Sequence, residues 1–404
     1  MVNDTVVITG IGMVTALGNT RESTWEHMLA GECGIRHAEL FDTVGYRSRL
    51  AAEVDTSTLT CGFTPLERRR LSRSDQIGVV AATEALSDSG LLDGPLDRSR
   101  VGVVLGAGTA DLVRNETFYS TWMTSGIARA RKSDVWNHFS STPADAIAYR
   151  FGFEGMRSCV VAACSSSTIA IGQAADAIRR GRADAVLAGG TDALSRLTFS
   201  GFNALRLMDP NPCRPFDRAR AGMSIGEGGA ILILESLERA RRRGARIYGE
   251  MAGYGFVCEA FHPTAPEPEG RPVAAIIAAA LRHGRVNADE VDHINAHGTA
   301  TPQNDAAESK GFRRVFGDRT AQLPVTSVKS MIGHCLGAAG AIEAAALALS
   351  IARGVIPPTI NHESADCDVL VVANQPREQR LRAGVSTSLG FGGNDAALVI
   401  RACA

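Results

Sequence analysis

The sequence predicts an α/β protein of two related halves packed as one compact unit. Three observations carry this reading: short β-branched runs alternate with alanine-rich helical stretches, segments of the first half echo in the second, and no Pro/Ser-rich linker divides the 404 residues. With 45% hydrophobic and 21% charged residues, the composition suits a globular protein with a large core.

The elements follow in order. Val6–Thr9 is a β-branched run and the first strand, and Ser74–Ser89 has the small and apolar pattern of a helix. Val101–Leu105, Ala185–Ala188 and Ile231–Leu234 are strands apolar throughout, as expected of sheets covered on both faces. Proline-rich stretches at 209–212 and 262–268 are local turns. The echo joins 102–110 to 292–300, and the strand before Cys164 to 323–328, which indicates an ancient duplication. Thr9–Gly18 follows a strand and invites a dinucleotide-binding reading, but Thr15 stands where the third glycine is needed and no ribose-binding acid follows. Close backbone packing explains these glycines better.

Several function classes are excluded. No apolar stretch is expected to span a membrane, and Met1–Thr5 lacks the basic and apolar segments of a secretion signal, so a cytoplasmic location is expected. Nine cysteines without a C-x-x-C pair make neither a disulfide scaffold nor an obvious zinc site. A net charge of −1 offers no general attraction to nucleic acid, so an acidic partner must meet a local basic patch.

Chemistry gathers at four places. Cys164 follows the apolar run 160–163, which reads as a buried strand, and precedes a small-residue helix at 169–178, where free N–H groups and the helix dipole are expected to lower the thiol pKa. His297 sits where a strand breaks at Gly298, and strand ends are where α/β folds keep their sites. His293 shares its strand face and raises a metal reading, which no H-E-x-x-H helix supports; no metal is expected. His334 lies in a run poor in bulky residues, flanked by Lys329 and Glu343, and a buried lysine needs such a partner. Gly390, Phe391, Gly392 and Gly393 form a turn able to direct N–H groups at a ligand.

Together these motifs resemble the elongating β-ketoacyl-acyl carrier protein synthases of the thiolase superfamily. The likeness rests on Thr9–Gly12, Arg214–Asp217 with Gly226–Gly228, His297–Pro302, Lys329–His334 and Gly390–Gly393, and it spans nearly the whole chain. It implies a thiolase-like fold of duplicated αβαβα layers with two central mixed sheets, divided into halves at 1–245 and 246–404. It also implies a Cys-His-His triad of Cys164, His297 and His334, with Lys329 and Glu343 tuning the histidines. Cys164 would take an acyl group from a carrier-protein thioester, and the histidines would stabilise the enolate left when malonyl thioester loses carbon dioxide. The N–H groups of Cys164 and Phe391 would form the oxyanion site, and the Phe391 ring would gate the acyl pocket.

The resemblance also assigns binding roles. Thr264, Thr299 and Thr301 would hold the pantetheine arm, Phe202 and Thr109 would line or close the acyl pocket, and Gly392 and Gly393 would hinge the gate. Arg68, Arg69, Arg131, Lys132 and Arg206 are docking candidates for an acidic carrier protein. No bound cofactor is expected, since the substrates ride on the carrier's phosphopantetheine. The partners implied are the acyl carrier protein and either a second copy or a related ketosynthase-like subunit.

Some positions depart from the family pattern. Asn394-Asp395 replaces Thr-Asn, Glu259-Ala260 stands where fatty-acid enzymes place an aspartate, Leu389 replaces a frequent phenylalanine, and Ser-Ser-Ser follows Cys164. A hydrogen bond between the two loops is therefore either lost or rebuilt. These departures favour a specialised type II polyketide or polyene pathway over housekeeping fatty-acid elongation. Three other readings compete: a chain-length factor would lack Cys164, a degradative thiolase would place a catalytic cysteine where His334 stands, and a scaffold would not become acylated.

Overall fold

The computed structural model describes residues 5–59, 61–110 and 112–403. Met1–Asp4, on which most of the secretion-signal reading rests, lies outside them. In the first half, β1 (Val6–Thr15), β2 (Val101–Gly106), β3 (Arg157–Val160), β4 (Ala185–Asp192) and β5 (Gly228–Ser236) lie side by side in the order β1-β5-β4-β2-β3. In the second half, β6 (Gly249–Cys258), β7 (Val291–Asn295), β8 (Pro324–Thr326), β9 (Leu370–Val371), β10 (Ala383–Gly390) and β11 (Asn394–Arg401) take the order β6-β11-β10-β7-β8-β9.

Apart from the terminal β9, the two orders are the same path. The first two neighbours are antiparallel and the next two parallel, in both halves. The sequence echo is therefore a repeat of topology, with 102–110 on β2 matching 292–300 on β7. The expected two sheets are continuous, because β1 pairs with β6 at Val7 with Glu250 and Ile8 with Gly249.

Helices fill the layers. The Arg73–Ser89 helix covers β1 and β5, and Arg271–Gly284 covers β6 and β11. The first is fixed by a capping box in which the Ser72 hydroxyl accepts the Asp75 N–H at 3.1 Å and the Asp75 carboxylate accepts the Ser72 N–H at 2.8 Å. Ser166–Arg179 after β3 and Ala339–Arg353 after β8 pack on each other and on strands of both halves, forming the central layer. At Gly340 an added Cβ would lie 1.9 Å from Thr168 Oγ1, which explains the small residues of this layer.

Two expectations need correction. Leu336–Arg353 does have the length and apolarity of a membrane span, with a mean hydropathy of 1.4 over 18 residues, but 83% of it is buried inside the protein. It is the core helix on which both halves of the sheet pack. The run before Cys164 was expected to be a buried strand, yet β3 is a sheet edge and Val161 is 61% exposed.

The glycines of β1 bear on the rejected dinucleotide reading. A Cβ at Gly12 would lie 1.8 Å from the carbonyl oxygen of Ala81, so strand and helix backbones touch there. Gly12→Val is expected to lower the unfolding free energy by about 3 kcal/mol through overpacking, measured as a fall in the urea midpoint. An unchanged midpoint would refute this account of the glycine.

Candidate active site

Cys164 follows a forced turn. Ala163 adopts φ +51°, a left-handed conformation that costs a residue with a Cβ of order 1 kcal/mol. Hydroxyls hold it: Ser166 Oγ accepts the Ala162 N–H at 2.8 Å and donates to the Ala163 carbonyl at 2.6 Å, while Ser165 Oγ donates to the Ala162 carbonyl at 2.9 Å. Ser167 Oγ accepts the Ala341 N–H at 2.9 Å and ties the turn to the second central helix. The three serines after Cys164 thus have defined structural work.

Cys164 is only 7% exposed. Burial pushes its thiol up to about 11, against the Lys329 charge and the Phe391 N–H, which both favour the thiolate. This runs against the expected lowering at the helix terminus, because desolvation outweighs the opposing groups. Burial thus favours the thiol over the thiolate.

Both histidines face the sulfur from the second half of the chain. His334 Nε2 lies 3.0 Å from Cys164 Sγ, and its ring meets that of His297 edge-on, with centroids 5.2 Å apart. Their tautomers follow from the groups behind them. The Leu336 N–H donates to His334 Nδ1 at 3.2 Å, and the Lys329 ammonium lies 3.3 Å from His297 Nδ1. A nitrogen that accepts carries no proton, so each neutral ring bears its hydrogen on Nε2. Burial and the Lys329 charge push both histidines well below their ordinary value, which keeps them neutral. The sulfur and ring nitrogens lie within 4.8 Å of one another, yet Nε2–H groups offer a metal no lone pair.

Lys329 is ion-paired with Glu343 in the interior, as the sequence pattern suggested. Burial raises the Glu343 carboxyl to about 7 despite that cation. The chain thus joins a thiol, two neutral N–H donors and one buried ion pair in a single cluster.

Comparison with known proteins agrees with this constellation. Residues 3–240 match the beta-ketoacyl synthase N-terminal domain and residues 248–363 the beta-ketoacyl synthase C-terminal domain. The chain belongs to the β-ketoacyl synthase family. It is 40% identical to the tetracenomycin polyketide synthase ketoacyl synthase alpha subunit of Streptomyces glaucescens, over 98% of this chain and 96% of that one. It is 37% identical to 3-oxoacyl-[acyl-carrier-protein] synthase 2 of Staphylococcus aureus (strain COL), over 99% and 98% of the respective chains. The solved ishigamide ketosynthase/chain length factor superposes with a TM-score of 0.93 at 35% identity, covering 99% of each chain. The protein is thus a condensing acyltransferase with the thiolase-like ketosynthase fold.

Cys164, His297 and His334 lie in the wall of one pocket. Phe202, Thr264, Thr299 and Thr301 line it too, as do Phe391, Gly392 and Gly393. Thr299 and Thr301 hydroxyls lie 2.9 Å apart, and the Phe202 and Phe391 rings touch with centroids at 5.7 Å. Thr109 is not part of this wall: its N–H donates to Asp192 at 3.0 Å, and its buried hydroxyl has no partner among the described residues. Arg68, Arg69, Arg131, Lys132 and Arg206 are all exposed. Arg69 and Arg131 share a groove with Arg70 and Arg114, Arg68 lies over the Phe63 ring, and Arg206 adjoins the pocket residue Leu207.

Three buried acids escaped the sequence reading. Glu308 accepts the His297 N–H at 2.8 Å, the Gly298 N–H at 2.6 Å and the Thr387 hydroxyl at 2.8 Å. Asp305, one turn earlier, accepts the Ala300 and Phe216 N–H groups at 3.2 and 2.7 Å. Asp192 accepts N–H groups of Gly108 and Gly337, one from each half. Burial raises Glu308 to about 7, and Asp192 and Asp305 to about 6. The i, i+3 spacing of Asp305 and Glu308 directly after His297–Pro302 was the available signal.

The thiol assignment has a direct check. A group held protonated by burial gains thiolate only as pH rises, so inactivation of the free enzyme by iodoacetamide at Cys164 should climb through pH 9 toward an apparent value near 11. Lys329→Met removes the favourable charge and should slow alkylation at any fixed pH in that range. A rate already at plateau by pH 7 would contradict the buried-thiol account.

Proposed function

We propose that Cys164 attacks the thioester of an acyl-carrier protein, forming the acyl-cysteine while the carrier thiol departs with the cysteine's proton. Malonyl-carrier thioester then enters, and its carbonyl oxygen accepts the Nε2–H groups of His297 and His334. The bond to the carboxylate breaks, carbon dioxide leaves, and the electron pair becomes an enolate on that oxygen. The enolate carbon attacks the acyl-cysteine carbonyl and expels the Cys164 thiolate, giving a β-ketoacyl-carrier thioester. The N–H groups of Cys164 and Phe391 serve the tetrahedral oxyanions.

One observation carries the assignment: both imidazoles are locked, by Leu336 and Lys329, with Nε2–H directed into the space beside one sulfur. Lys329 and Glu343 fix the His297 tautomer, and Phe391 gates the pocket against Phe202. Thr264, Thr299 and Thr301 hold the pantetheine arm, with Gly392 and Gly393 as hinges. Thr109 approaches the acyl chain from behind Asp192. The acidic carrier protein docks on the arginines around 68–70, 131–132 and 206.

We assign the enzyme to a type II polyketide or polyene pathway, supported by its likeness to the tetracenomycin alpha subunit and by the departures at Glu259 and Asp395. We divide the chain into functional halves at 245/246, between the α-helix ending at Arg242 and the start of β6. Dimerisation, with a second copy or a chain-length-factor subunit, uses the face where edge strand β3, Tyr119, Trp122, Met123, Phe139 and Val161 leave apolar side chains exposed. Nine free cysteines fit a reducing cytoplasm.

Intact-mass analysis after incubation with acyl-carrier protein should show the acyl adduct on wild type and none on Cys164→Ala. His297→Ala and His334→Ala should each lower carbon dioxide release from malonyl-carrier protein by about 100-fold, while retaining some acylation. Normal decarboxylation with lost acylation would reverse the roles. Phe391→Ala should raise carbon dioxide release without an acyl donor relative to condensation, and an unchanged ratio in a folded variant would remove the gate.

A further inference from the structure

The turn bearing Phe391 and the loop bearing Thr264 are joined at two backbone points. The Glu259 N–H donates to the Gly393 carbonyl at 2.8 Å, and the Gly392 N–H donates to the Pro263 carbonyl at 2.8 Å. Between them two carboxyl groups meet. Asp395 is fixed in β11, paired with Leu389 on one side and Val257 on the other, and is 1% exposed. Its Oδ1 accepts the Gly390 N–H at 3.3 Å, while its buried Oδ2 receives no donor among the described residues. Glu259 extends from the end of β6 onto this carboxyl, with its own Oε2 held by the Glu267 N–H at 3.0 Å. Ala260, the next residue, is forced to φ +51°.

Two carboxylates cannot hydrogen-bond each other, and a buried acceptor without a donor is costly. One proton satisfies both. We propose that Glu259 and Asp395 share a proton, and that this pair is the positioning latch coupling the oxyanion turn at Phe391 to the pantetheine loop at Thr264. The inference rests on the family activity only for its catalytic effect; the latch itself rests on the two loops. It also identifies how the loop contact is rebuilt, since both partners depart together from the family pattern.

The sign of the pH effect follows from the surroundings. Burial first, then Glu259, pushes Asp395 up to about 9, with Glu308 on the 302–316 helix adding in the same direction and the Gly390 N–H opposing. On the Glu259 side, Glu267 is itself paired with Arg271, and His262 Nδ1 accepts the Thr264 and Ala265 N–H groups. The proton is therefore held at neutral pH and the loops are latched. As pH rises through about 9 it is lost, and two facing negative charges separate the loops.

Hydrogen–deuterium exchange of segments 259–268 and 390–395, corrected for intrinsic rates, tests this at pH 7 and 10. Wild type should lose protection in both segments by about tenfold or more, with segment 383–389 as the unmoved control. Asp395→Asn and Glu259→Gln each supply an amide N–H in place of the proton, so both should keep protection at pH 10. Two readings overturn the proposal: no change in wild type, or parallel loss in either folded variant. Carbon dioxide release without acyl donor separates the latch from the gate. If exchange rises at pH 10 while unprimed release does not, the latch stands and the gating role of Phe391 falls.

Discussion

A lysine ammonium in a dry interior must be answered by charge and by a lone pair, and Lys329 has both. Glu343 supplies the charge from the central helix, and His297 Nδ1 supplies the lone pair. Removing Glu343 would leave an unpaired charge in a region where such groups cost several kcal/mol. The consequence reaches the chemistry, because an accepting Nδ1 leaves Nε2 as donor. The same ammonium also depresses both histidines and favours the Cys164 thiolate. One buried cation therefore acts on the protonation of three reactive groups, adding to burial at the histidines and opposing it at the thiol.

That cation can sit there because the fold brings two equivalent places together. Cys164 follows β3, and Lys329 and His334 follow β8, its topological counterpart, so the two central helices begin on either side of one small volume. Small residues such as Gly340 let those helices approach closely. Buried backbone donors beside the site are satisfied by Asp192, Glu308 and Asp305.

Much of this was legible in the sequence, for identifiable reasons. Continuous apolar runs gave the strands, although β1, β4 and β5 proved longer, because their glycines and threonines remain extended inside the sheet. Cys164, His297, His334 and the Lys329 with Glu343 pair lie in motifs whose small residues betray close packing. Less visible was everything set by burial. The rise of the Cys164 thiol depends on how many atoms surround it, and the roles of Glu308 and Asp192 depend on backbone groups distant in sequence. The edge position of β3 was hidden, since the exposed and buried forms of Val160-Val161 read alike.

The division of the triad between the two halves has a consequence for biosynthesis. Cys164 leaves the ribosome more than a hundred residues ahead of His297 and His334. Until the second half has folded against the first, the emerging chain carries a cysteine without its N–H donors and without the ammonium that Lys329 brings. Malonyl decarboxylation therefore waits for the histidines of the second half. It is a property of the finished chain, so a truncated product or a half-folded intermediate would not squander malonyl units.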